Sequence, residues 1–253
     1  MARMLDDLIA QVIGLEVRLR ACVERLAAGT DAEALHDLRV TTRRLRSLLR
    51  PLRGLPAVDV LNEAAADLAR LSGPLRDLEV LIAELRGHGL DRLTTPREKA
   101  RRSGYAQLLL APELTRLFQV LEAWPHLMRV YDREKLMKAP RQSVENSLRK
   151  SRRRLERGLR DPAHDRHRLR LLIKRLRYGL DAYQGVVSLS PRTMRLLVGA
   201  QSALGKWHDN LQWLARAEHE PDLRPRVRAW QVALHAAEVR SDRVLEKLLR
   251  RLS

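Results

Sequence analysis

His36, Arg39, Arg43, Arg46 and Arg50 follow one another at intervals of three or four residues, the spacing that puts side chains along one face of a helix. A row of guanidinium forks offers many hydrogen-bond donors and no acceptor, so the chemistry it suits is the grip of oxygen-rich anions, phosphate above all. A second row, His167, Arg170, Lys174 and Arg177, repeats the pattern 131 residues later. Neither face carries a carboxylate. Like charges one turn apart each cost a helix roughly 0.2–0.5 kcal/mol, and a face kept only for solubility would mix signs. Two such faces in one chain therefore point to anion binding.

Other cations stand near enough in the sequence to join. Arg149 and Arg153 lie in the run Leu-Arg-Lys-Ser-Arg-Arg-Arg that begins at Leu148, and Arg20 lies on the first helix. Arg76 and Lys206 belong to the segments Gly73 to Asp77 and Gly205 to Asp209, where Asp77 and Asp209 offer them an ion pair as readily as a ligand would. Tyr178 and Trp207 adjoin these segments and read as core residues.

The elements that must position these residues are helices. Leu, Ala, Arg and Glu recur at spacings of three and four, and alternating β-branched or aromatic residues are nearly absent, so the chain is expected to be all-α. Beside the first basic row run Leu35, Leu38, Leu45, Leu49 and Leu52, and beside the second Leu169, Ile173, Leu176 and Leu180. These apolar stripes should seat both helices on a core. Helix breaks are expected at Gly29 to Asp31, Gly54 to Pro56, Gly87 to Gly89, Thr94 to Pro96, Pro125, Pro140, Asp161-Pro162, Ser188 to Pro191 and Pro221 to Pro225, leaving eight or nine helices. Thr95-Pro96 and Ser190-Pro191 each place a hydroxyl cap before a proline at the first helical position.

The segment from His36 to Arg46 aligns without gaps to that from His167 to Arg177, and Gly73 to Asp77 aligns to Gly205 to Asp209 at an offset of 132. Two matches at nearly one offset imply a duplicated unit of about 130 residues, with halves at roughly 1–127 and 128–253. The residues 87–104 and 124–140 of the first half have no assignable counterpart.

The chain has 253 residues and a formal charge of +18. Residues 1–127 hold 19 basic and 17 acidic side chains, whereas residues 128–253 hold 30 and 14. Forty-two of the 49 cations are Arg, the planar fork that matches phosphate oxygens better than an ammonium does. The surplus makes a polyanion the first partner to consider. One cysteine, Cys22, leaves no intramolecular disulfide and no multi-cysteine metal site, which fits a reducing cytoplasm. Asp6 and Asp7 precede the first apolar stretch, which reads as an amphipathic helix rather than an export signal, and no apolar run approaches a membrane span.

The doubled pattern H-x-x-R-x-x-x-[RK]-R-x-R, followed each time by G-x-x-[RH]-D, resembles the CHAD family, the conserved histidine α-helical domain, over nearly the whole chain. That resemblance implies a single domain of two four-helix bundles related by a pseudo-twofold axis, with a basic cavity between them that binds inorganic polyphosphate. It further implies association with polyphosphate granules. His36, Arg39, Arg43, Arg46, His167, Arg170, Lys174 and Arg177 would line the cavity. Some family members are fused to a CYTH domain that hydrolyses triphosphates, but its E-x-E-x-K element is missing here, since Glu218-His-Glu220-Pro-Asp222 lacks the lysine. A non-catalytic binding protein without a cofactor is expected.

Two other readings use the same residues. Sequence-independent nucleic-acid binding would exploit the same cations with the same salt dependence, although 4% aromatic content leaves little for base stacking. A metal-dependent phosphohydrolase would need the dyads His36-Asp37 and His208-Asp209 to recruit further ligands past rows of arginine that repel a cation.

Overall fold

The computed structural model describes residues 2–136 and 139–252. Every regular element among the described residues is helical, and the chain forms two compact units, 1–144 and 145–253. The first contains α1 (Ala2–Ala28), α2 (Ala34–Leu49), a 3-10 turn (Arg50–Leu52), α3 (Pro56–Leu71), α4 (Gly73–Gly87), α5 (Asp91–Leu109) and α6 (Pro112–Arg133). α7 (Pro140–Arg160) begins at the end of that unit and runs into the second, which continues with α8 (Arg166–Ala182), α9 (Pro191–Ala217), a 3-10 segment (Pro221–Arg226) and α10 (Val227–Leu252).

The apolar stripes read from the sequence are the seats of the basic helices. Leu35, Leu38, Leu45 and Leu49 are at most 1% exposed, and α2 packs by this face between α1 and α3. In the second unit Leu169, Ile173, Leu176 and Leu180 join Leu155 and Leu159 of α7, Leu197 and Leu204 of α9, and Leu245, Leu248 and Leu252 of α10 in one core. Burying a Leu side chain contributes about 1.5–3 kcal/mol, so these stripes fix the rotation of α2 and α8. The basic rows stand next to them, bordering the cores.

Ser190 caps α9 as expected, its hydroxyl accepting from the Thr193 amide at 3.2 Å with Pro191 at the first helical position. Thr95-Pro96 does not start a helix. Pro96 lies inside α5, which begins at Asp91. Beside the proline, Thr94 donates to the Asp91 carbonyl and the buried Arg97 to that of Leu93, both at 2.8 Å. Pro125 likewise lies inside α6. Leu114, Leu117, Leu121, Trp124 and Met128 are buried on both sides of it, and that stripe outweighs a penalty of about 3 kcal/mol for an interior proline.

The residues 87–104 and 124–140, which matched nothing in the sequence comparison of the halves, are thus largely helical. The half boundary read at 127/128 falls within α6, while the units divide at 144/145. Two breaks escaped the sequence reading, at Ser72 between α3 and α4 and at Leu110-Ala111 between α5 and α6. They raise the count to ten α-helices among the described residues, six of them in the first unit, where a four-helix bundle was expected.

Candidate functional site

His36, Arg39, Arg43 and Arg46 on α2, with Arg50 in the following turn, are all half-buried, held partly out of water by the helix face that carries them. Arg39 has a structural use. Its Nη1 donates to the Ala69 carbonyl at 2.9 Å and to the Ser72 hydroxyl at 2.8 Å, and Ser72 in turn donates to the Leu68 carbonyl at 2.7 Å. The guanidinium closes the C-terminal end of α3, where a cation also complements the helix dipole. Burial, and then the charge of Arg43, press the Arg39 pKa below its ordinary value, with Arg76 adding to the effect and Asp77 and Glu79 opposing it.

Arg76, on the first turn of α4, pairs with Glu79 at 2.8 Å rather than with its neighbour Asp77. Glu79 is only 7% exposed and also accepts from the Tyr105 hydroxyl of α5. Arg76 is thereby held in the electrostatic neighbourhood of Arg39 by a buried carboxylate. Asp37, half of one dyad considered for a metal, accepts from Arg25 of α1 at 2.9 Å. Among the described residues no three His, Cys, Asp or Glu side chains gather at a metal-holding distance.

In the second unit Arg170, Lys174 and Arg177 are half-buried on α8 and His167 is exposed in its first turn, where its amide donates to the capping Asp165 at 2.8 Å. Arg177 lies 3.7 Å from Asp181 and over the Tyr178 ring. Beside this row stands His208 of α9, its ring centroid 5.6 Å from that of His167 and 6.3 Å from that of Trp207. Its Nδ1 is buried without a hydrogen-bond partner among the described residues. Burial, then the charges of Arg170, His167 and Lys174, push the His208 pKa down to about 4. The imidazole is therefore neutral at pH 7, and the cations around it form a site of high positive potential.

The remaining predicted residues are placed elsewhere. Arg20 is tied to Glu16 at 2.7 Å and lies over the Phe118 ring, 4.5 Å from its centroid. Arg149 pairs with Glu145 of its own helix at 3.3 Å, Arg153 is exposed on α7, and Lys206 is exposed on α9. The residue that sequence reasoning did not place in the anion site is His208, considered there only as half of a metal-binding dyad with Asp209. The signal was present: it occupies the position of Arg76 in the second pair of matching segments. In each unit the structure brings the two matched segments together, Arg39 and Arg43 with Arg76, and Arg170 and Lys174 with His208.

The sequence profile of the CHAD domain matches residues 15–218, most of the chain. The chain belongs to the CHAD domain family. A crystal structure described as the CHAD domain from the plant Ricinus communis shares the fold: the TM-score is 0.74 at 24% identity, with 98% of this chain and 91% of that one covered. No protein with a curated description matches. The CHAD match begins within α1 and ends just past α9, so it takes in both basic rows and His208. No helix among the described residues is long and apolar enough to cross a membrane.

His208 gives this CHAD chain a pH signature. In the unfolded chain its pKa returns to the ordinary value near 6.5, so the unfolded state binds more protons at mildly acid pH. The resulting stability is fully present above about 6.5 and is lost as pH falls through about 4. Replacing His208 with Asn should flatten stability between pH 6.5 and 4 relative to wild type, as read from urea midpoints at each pH. Parallel curves for the two proteins would show that His208 is not held neutral by the fold.

Proposed function

We propose that this protein binds inorganic polyphosphate without turning it over, and that it does so in the cytoplasm at polyphosphate granules. The observation that carries the reading is the gathering of Arg170, Lys174, His167 and His208 from two helices of one unit. Polyphosphate is a flexible thread with about one negative charge per phosphate and no bases, so what it needs is a cluster of forked, partly dehydrated cations rather than aromatic platforms. The α2 row with Arg76 offers a second cluster of the same kind in the other unit. Membership of the CHAD family supports the reading.

A bound phosphate chain would offset the charges of Arg170 and Lys174 and permit His208 to take up a proton. In the free protein that proton is disfavoured. The direct test is a titration of labelled long-chain polyphosphate at several salt concentrations. Saturable binding at physiological salt is expected, with an affinity that falls steeply and log-linearly as salt rises, because each neutralised phosphate releases a counterion. Failure to saturate at physiological salt would remove polyphosphate as the ligand.

A further inference from the structure

α7 carries cations that neither half-buried row uses. Val144, Leu148, Leu155 and Leu159 form its buried stripe. Lys150, Arg153, Arg154 and Arg157 follow the spacing i, i+3, i+4, i+7 on the opposite side of the helix, and all four are exposed. The carboxylates of α7 do not neutralise them: Glu145 pairs with Arg149, and Glu156 with Arg160 at 2.6 Å. None of the four has an ion-pair partner among the described residues. α10, whose terminal Leu252 carbonyl accepts from Arg152 of α7 at 3.1 Å, has a comparable exposed row in Arg240, Arg243, Lys247 and Arg250.

We infer that the outward face of α7 binds duplex nucleic acid along its phosphate backbone, without reading sequence. The row is short: from Lys150 to Arg157, seven residues at 1.5 Å each give about 10 Å. Each strand of a duplex has a phosphate about every 3.4 Å along the duplex axis, so a row of that length spans about three phosphates of axial rise. A rigid rod presents its phosphates to a convex helix without bending, whereas a flexible thread gains more from converging cations that are already partly desolvated, such as those on α8. No aromatic side chain lies among the four cations to stack an unpaired base. The apolar face of α7 is used up in the core, so the helix has nothing to insert into a lipid surface. The inference does not depend on polyphosphate binding, because Lys150, Arg154 and Arg157 are not among the residues expected to hold polyphosphate.

The test uses the full chain and a variant carrying Lys150→Gln, Arg154→Gln and Arg157→Gln, all surface changes, with Arg153 kept because the sequence places it among the polyphosphate candidates, and with helicity checked by circular dichroism. Binding is read by anisotropy with a labelled duplex, with labelled long-chain polyphosphate, and by sedimentation with vesicles containing phosphatidylserine. The expected result is a loss of duplex affinity of roughly tenfold or more, a salt slope lower by up to about 3, and polyphosphate affinity unchanged within twofold. An unchanged duplex affinity would overturn the inference. So would an equal loss toward polyphosphate, which would make the face part of that site, or vesicle binding that exceeds duplex binding and disappears in the variant. A wild-type chain that ignores polyphosphate yet loses the duplex in the variant would sink the proposed function and leave this inference standing.

Discussion

Reversing one charge in each basic row, Arg43→Glu with Lys174→Glu, should weaken polyphosphate binding by about 100-fold or more while the protein stays folded. Both side chains are half-buried beside their cores, and both act electrostatically on the cluster to which they belong. A hydrogen bond to a charged group contributes about 1.5–3 kcal/mol, so two lost contacts amount to at least about 3 kcal/mol, or two decades in Kd. The introduced carboxylates then repel phosphate, which adds to the loss. Calorimetric titration with long-chain polyphosphate measures it. An affinity within threefold of wild type would mean that the rows are solvated faces and that the ligand binds elsewhere.

The second large effect concerns stability. Arg39→Met should lower the unfolding free energy of the first unit by about 3 kcal/mol, while Arg44→Met, exposed on the same helix, should leave it nearly unchanged. Arg39 supplies two hydrogen bonds to the end of α3, each worth about 1.5–3 kcal/mol from a charged donor. Methionine keeps the apolar stem but leaves the Ala69 carbonyl and the Ser72 hydroxyl without that donor. Paired urea melts followed by circular dichroism give the difference. Equal midpoints for the two variants would show that the corner between α3 and α4 closes without Arg39.

The contrast between these neighbours marks how far residue spacing reaches. The leucine stripes beside each row and the start of α9 at Ser190-Pro191 were legible, because each depends on local periodicity or a local cap. The role of Arg39 was not, since the carbonyl it meets is thirty residues away, at a corner whose Gly73-Pro74 pair was not read as a helix break. His208 was hidden for a similar reason: only packing of α9 against α8 brings its ring to His167. Pro96 and Pro125 misled in the other direction. A rule about backbone hydrogen bonds did not end α5 at Pro96, and in α6 it was overridden by a buried stripe.

His208 also supplies the most direct measurement. Its imidazole signal can be followed by NMR through a pH titration of the free protein and of the protein saturated with polyphosphate, saturation being confirmed independently by anisotropy. In the free protein His208 should titrate near 4. With polyphosphate bound its pKa should rise toward the ordinary histidine value, because phosphate charge now faces Arg170 and Lys174. A pKa that stays near 4 in the saturated complex would contradict binding at this cluster.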